Sequence, residues 1–118
     1  VRHGEEIAAF FFLTDKPEAS YDEITDGKWT PDLPYCVLHR CAVAREYRGS
    51  AVAEYMLRCA EDLTRQLGGR ALRVDTHKKN KSMQNLLRSN GFRYRGNVLA
   101  NEYGHDPARQ AFEKILKK

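Results

Sequence analysis

The sequence is poor in the features that fix a chain covalently or anchor it in a membrane. Its three cysteines, Cys36, Cys41 and Cys59, are odd in number and none is spaced C-x-x-C, so neither a disulfide framework nor a zinc site is expected, and no metal is called for. The longest apolar run, residues 7–13, falls far short of the ~20 residues that span a bilayer and lacks the flanks of a secretion signal. The expectation is a chain without membrane attachment, working in the cytoplasm. Two phosphate-binding loops are also missing, since neither G-x-x-x-x-G-K-[ST] nor G-x-G-x-x-G occurs. The net charge of +4 comes without an RNP, KH, zinc-finger or helix-turn-helix signature, which makes a basic nucleic-acid-binding domain the most distant reading.

What remains is the composition of an ordinary globular domain. The 118 residues are 42% hydrophobic and 31% charged, enough chain for one modest core and a single domain over residues 1–118. The charge is unevenly laid out. Residues 14–35 hold six acids, Asp15, Glu18, Asp22, Glu23, Asp26 and Asp32, against Lys16 and Lys28, a balance of −4 that leaves +8 for the rest. Such separation suits a protein that meets one anionic and one cationic ligand, although single surface charges commonly serve solvation alone.

The apolar pattern orders the chain into elements. Residues 5–13 form a β-prone run after a turn at His3-Gly4 and read as the second arm of a hairpin whose first arm includes Val1-Arg2. Residues 14–35, with three prolines and a glycine, read as a long loop of the kind that serves as a lid or binding segment. Residues 36–44 are the next strand. From 49 to 67, Val52, Met56, Cys59, Ala60, Leu63 and Leu67 recur at helical spacing, and Gly68-Gly69 supplies the stop. Residues 71–76 give a strand and 82–90 a shorter helix with Met83, Leu86 and Leu87 on one face. Residues 92–95 and 110–117 are two last strands, the final one also carrying a helical pattern. This order predicts an α/β layered domain with mixed strand directions.

The stretch CAVAREYRGSAVAEYML, residues 41–57, joins a strand to a helix through small residues flanked by arginines. The first turn of a helix presents unsatisfied N–H groups and a positive dipole end, and small residues let a phosphate approach the backbone. Gly49, Ser50 and Ala51 stand at that turn, with Arg45 and Arg48 as cationic side chains suited to phosphate. The same residues also suit a tight turn with solvated arginines, and taken alone they do not separate the two.

The segment VAREYRGSAVAEYMLRCAE, residues 43–61, resembles motif A of the GNAT superfamily of acetyl-CoA-dependent N-acetyltransferases, in which a strand ends in Val and an R-G-x-[GA] turn opens a long helix. Downstream, VDTHKKNKSMQNLLRSNGFRYRG is similar to the next strand of that family, its asparagine-led helix and its helix-ending Gly-Phe. The two blocks stand in the family's order and cover residues 36–95, and the tail GHDPARQAFEKIL resembles a bacterial branch. The resemblance implies a mixed, mostly antiparallel central sheet with helices packed on it, shortened at the N-terminus by the first strand and a pair of helices. It also implies a cosubstrate, acetyl-CoA, and a primary-amine acceptor. By the same resemblance the backbone N–H groups of Arg48, Gly49, Ser50 and Ala51 hold the CoA pyrophosphate, Cys41, Ala42 and Val43 pair with the pantetheine arm, and Asn80 contacts the cofactor.

The departures bear on catalysis. Glu46 stands where family members often carry glutamine or arginine, Leu87 replaces a tyrosine that frequently acts as general acid, and Val37 replaces a glutamate that some members use as base. A lysine-like amine with a pKa of about 10.4 still has to lose a proton before attack. His39, alternating onto one strand face with Val37, Cys41 and Val43, is the candidate base or relay, although a histidine hydrogen-bonded inside a sheet would look the same. Tyr103 is a candidate proton donor, conditional on the tail folding back. Tyr21, Asp22, Glu23, Asp26 and Trp29 of the acidic segment are the candidate acceptor site. An exposed first strand and an uncovered sheet face would favour a homodimer. A GNAT-like domain that binds CoA without catalysis is the alternative function.

Overall fold

The computed structural model describes residues 2–4, 6–45, 51–99 and 108–117. A two-stranded ribbon, β1 (Arg2–His3) and β2 (Glu6–Ile7), turns through Gly4 and leads into β3 (Ala9–Thr14). A 3-10 turn, Ala19–Glu23, precedes β4 (Tyr35–Val43), and then follow α1 (Ala51–Gln66), β5 (Ala71–His77), α2 (Lys81–Ser89), β6 (Arg93–Leu99) and β7 (Ala108–Ile115). The main sheet has the order β3-β4-β5-β7-β6, with β4 and β5 parallel and every other neighbouring pair antiparallel. The mixed, mostly antiparallel sheet is therefore present, and the last segment is a strand, not a helix.

The two faces of this sheet have different covers. On one face α1 and α2 bury Met56, Leu57, Ala60 and Leu87 against Cys36, Leu38, Leu72, Val74 and Phe112. On the other, Val37, Val98 and Ala111 meet Tyr21, Ile24 and Trp29 from residues 14–35. The acidic segment is thus not an open loop but the second wall of the protein. Helix α1 is rotated from its expected phase. It buries Ala53, Met56, Leu57, Ala60 and Thr64, while Leu63 and Leu67 remain 37% and 47% exposed. Thr64 fits an apolar interface because its hydroxyl donates to the carbonyl of Ala60 at 2.8 Å.

Residues 14–35 are fastened to the sheet by polar contacts no local pattern announces. Glu113, fully buried on β7, accepts from Arg73 Nε at 2.8 Å, Arg95 Nε at 2.9 Å and the Thr30 hydroxyl at 2.7 Å. The Arg73 guanidinium lies 3.8 Å from the Tyr35 ring centre and 4.7 Å from that of Trp29, so the buried cation is both paired and sandwiched. Farther along, Thr25 exchanges two backbone hydrogen bonds with Asn97, each 2.8 Å. This crossing is so close that a Cβ on Gly96 would stand 2.5 Å from the Thr25 carbonyl oxygen. Gly96→Ala is expected to lower stability by roughly 1–3 kcal/mol, seen as a drop of several degrees in Tm by calorimetry; an unchanged Tm would mean that this wall is not packed as described.

Candidate active site

The site is created where the parallel ladder ends. β4 and β5 pair from Tyr35↔Ala71 to Leu38↔Val74, and among the described residues no further β4–β5 pair follows, so the two strands part like a fork. On the helix face the gap becomes a cleft of ≈ 590 Å³. One wall is Cys41, Ala42 and Val43, whose other edge is paired with β3. The opposite wall is one side of α2, where Ser82, Asn85, Leu86 and Ser89 recur at helical spacing. Asn80 caps this helix, its side-chain oxygen accepting the Met83 N–H at 3.1 Å, and it too lines the cleft. Glu54 of α1 is the one acid among the described lining residues.

The fork also has a loop face, and here a bulge decides what reaches it. β3 pairs Phe12 with Arg40 and then Leu13 with Leu38, so His39 is the extra residue on β4. The bulge reverses the alternation: Cys36 and Leu38 before it, and Cys41 and Val43 after it, pack toward the same helical core, whereas Val37 lies in the opposite cluster. The expected common face for Val37, His39, Cys41 and Val43 is therefore wrong. His39 projects toward residues 14–35, where its Nε2 lies 3.5 Å from Glu18 Oε2, with side-chain exposures of 40% and 30%. Across the fork, Asp75 is the first residue of β5 beyond the last paired position, and it accepts a 2.6 Å hydrogen bond from the Tyr21 hydroxyl.

Electrostatics separate the roles of these groups. Burial, then the neighbouring Asp75, pushes the Tyr21 hydroxyl well above the ordinary tyrosine range, so it stays protonated and donates. Burial likewise pushes the Asp75 carboxyl up, opposed by the Tyr21 hydrogen bond and by the charges of Arg109 and His39. Burial and, secondarily, Asp75 raise the Cys41 thiol to about 11, which keeps it in the thiol form and ill suited to act as a nucleophile.

The other residues singled out in the sequence fall in several places. Arg48, Gly49 and Ser50 lie outside the described residues, as does Tyr103. Ala51 opens α1. Tyr21 is only 1% exposed and stacks on Trp29 at 4.8 Å, so both rings are wall packing and not open acceptor contacts. Asp26 accepts from Asn97 at 2.9 Å, and Glu23 borders a second cleft of ≈ 470 Å³ near the ends of β6 and β7. Asp22 is exposed on the 3-10 turn. The acids that reach the fork are instead Glu18 and Asp75. Asp75 carried a signal, a carboxylate inside the apolar run ALRVDT; Glu18 carried none.

Comparison with known proteins agrees with this architecture. The sequence profile of the Acetyltransferase (GNAT) family matches residues 1–92, and the chain belongs to that family. A GNAT-family acetyltransferase from Streptococcus agalactiae 2603 has 35% sequence identity and a TM-score of 0.77, covering 94% of this chain and 60% of its own. An acetyltransferase from Bacillus subtilis solved in complex with CoA shares the fold at 13% identity and a TM-score of 0.70, over 98% of this chain and 74% of that one. The NatC complex bound to Gag peptide and CoA contains a chain with 16% identity and a TM-score of 0.67, over 91% of this chain and 60% of that one. The chain thus spans about 60% of the length of the streptococcal protein. No curated protein sequence is similar enough to count as a match. Among the described residues, no helix is long and apolar enough to cross a membrane.

Proposed function

We propose that the chain is an N-acetyltransferase that moves the acetyl group of acetyl-CoA to a primary amine by direct attack on the thioester, with residues 36–95 as the cofactor-binding core of one domain over residues 1–118. The observation that carries this reading is the parting of β4 and β5 beyond Leu38↔Val74, which sets a cleft on the helix face against a titratable group on the loop face. The cofactor fits the residues present. A volume of ≈ 590 Å³ lies within the roughly 300–1,000 Å³ usual for cofactor sites. The β4 edge at Cys41 and Ala42 lies beyond the last β4–β5 pair and borders the cleft together with Val43, which suits the amides of a pantetheine arm. Asn80 and the small polar side of α2 form the facing wall; the pyrophosphate is assigned, by the sequence resemblance, to Arg48, Gly49, Ser50 and Ala51, of which Ala51 opens α1 and the other three lie outside the described residues.

Acetyl-CoA, when bound, supplies an activated acyl carbon with a thiol leaving group. The protein's own residues have to receive the amine and remove a proton. His39, oriented by Glu18 and open to water, takes one proton from the ammonium so that the freed lone pair can attack the acyl carbon, and gives it to solvent; the second proton, lost by the nitrogen as the tetrahedral adduct collapses, passes to the departing sulfur. The C–S bond breaks, and because thiols have a pKa of about 8.5 the departing group needs no dedicated acid. That accords with Leu87, which is buried in the core where many relatives would place a tyrosine. The same observation favours a second reading, a CoA-binding domain without catalysis, which differs in predicting no turnover with any amine.

Calorimetric titration of acetyl-CoA tests the cleft. Asn85 is exposed on the side of α2 that faces the gap, so Asn85→Trp fills the site without touching the core. Single-site micromolar binding, weakened roughly tenfold or more by the tryptophan at unchanged Tm, is expected. Equal affinity in the two proteins would place the cofactor elsewhere.

A further inference from the structure

We propose that Asp75 is the group that receives the acceptor's ammonium at the loop face of the fork, with Tyr21 as its positioning residue; this rests on the acetyl-transfer reading above and names the charge class of its acceptor. Three observations place Asp75 there. It is the first β5 residue beyond Leu38↔Val74, just as His39 is the first on β4, so the two stand on either side of the opening. Strand alternation sends its side chain to the same face as Arg73, which contacts Thr30 and Trp29 of the acidic wall. And its field reaches the thiol of Cys41, which lines the cofactor cleft, so the loop face and the cleft are close neighbours through the gap.

The carboxylate is held in a defined orientation. Tyr21 donates to Oδ1 at 2.6 Å, and Tyr21 is itself immobilised by Trp29, which stacks on its ring and donates from Nε1 to its carbonyl at 2.9 Å. The hydrogen bond from Tyr21 falls on Oδ1 and leaves Oδ2 the further oxygen of the pair. A partly buried carboxylate held through one oxygen presents a fixed acceptor to a donor from outside, and an ammonium offers three. The groups that bear on it from the packed elements are Tyr21 and Glu18 on the wall, His39 on β4 and Arg109 on β7. Arg109 tempers the negative charge and Glu18 augments it, so the position selects a compact cation and discriminates against an anionic acceptor. An ammonium on Oδ2 lies between the acid that binds it and the imidazole that deprotonates it.

Binding of a simple amine tests this independently of turnover. Propylammonium is titrated into the chain while the ring signals of His39 are followed by NMR, with propanol as the neutral control. The signals are expected to move with propylammonium and not with propanol. Asp75→Asn preserves an acceptor for Tyr21 but removes the charge, and is expected to weaken propylammonium binding roughly tenfold or more, with Asp75→Glu recovering part of the loss. Tyr21→Phe keeps the ring on Trp29 and is expected to weaken binding less. Unaltered affinity in Asp75→Asn, or wild-type signals that do not respond, would overturn the assignment. Propylammonium binding through Asp75 in a chain that fails to bind acetyl-CoA would overturn the acetyl-transfer reading and leave this site standing.

Discussion

Exchange of His39 for glutamine is expected to lower kcat by roughly 100- to 10,000-fold, the range for loss of a positioned proton acceptor. Glutamine fills much of the same volume and the histidine side chain is 40% exposed, so neither the fold nor acetyl-CoA affinity should change. The loss should also depend on pH in a direction that packing cannot mimic. An alkyl amine is fully protonated at neutral pH and increasingly free as the pH approaches its own value of about 10.4. The deficit of His39→Gln should therefore shrink as the pH rises, because the variant needs no base once solvent has removed the proton. Initial rates for the two proteins across that range decide the matter. A deficit that stays constant would mean that His39 supports the site without accepting a proton.

Exchange of Glu113 for glutamine is expected to destabilise the fold by roughly 3–5 kcal/mol, the cost of leaving buried charges without their counter-ion. Arg73 and Arg95 both converge on this fully buried carboxylate, and Thr30 joins it through its hydroxyl and its backbone N–H. Burial alone would push the Glu113 carboxyl up, but the Thr30 and Arg73 hydrogen bonds and the Arg73 charge outweigh it and hold the group below its ordinary value. The folded chain thus binds this proton less readily than the unfolded one. Its stabilisation is present above the unfolded value of about 4.3 and is lost as the pH falls through the lower folded value. Urea unfolding should show a lower midpoint for Glu113→Gln at neutral pH and a shallower loss of stability on acidification. Because Thr30 belongs to the wall beside the fork, the variant should also loosen residues 14–35 before the rest, which hydrogen exchange would detect.

The parts of this protein legible in its sequence are those governed by local periodicity. The strand-helix-strand-helix run from β4 through α2 follows from short apolar runs and from residues that repeat every three to four positions, and Asn80 marks the start of α2. Asn80 was expected at the cofactor and lies on the cleft, while its own hydrogen bond also caps the helix. Where periodicity had two solutions it misled. Apolar residues lie on more than one side of α1, and the side turned to the sheet is the one that carries Ala53, Met56, Leu57, Ala60 and Thr64.

Long-range partners were not legible at all. The acidic segment looked like a loop because its prolines and acids carry no period, yet Tyr21 finds Asp75 54 residues away and Thr30 finds Glu113 83 residues away. A single bulge split the face expected for Val37, His39, Cys41 and Val43: the first two face residues 14–35, while Cys41 and Val43, beyond the extra residue, turn to the helix side. His39 lies on the loop side with Val37, where it meets Glu18.

The central claim is acetyl transfer at the fork, and the most direct measurement follows thiol release and N-acetylated product together, with acetyl-CoA and a primary alkyl amine, in the wild-type chain and in His39→Gln. Equal rates of thiol and N-acetyl amine formation, dependent on the protein and strongly reduced in the variant, are predicted. Binding of acetyl-CoA with no thiol release for any amine, or release at the same rate in both proteins, would contradict it.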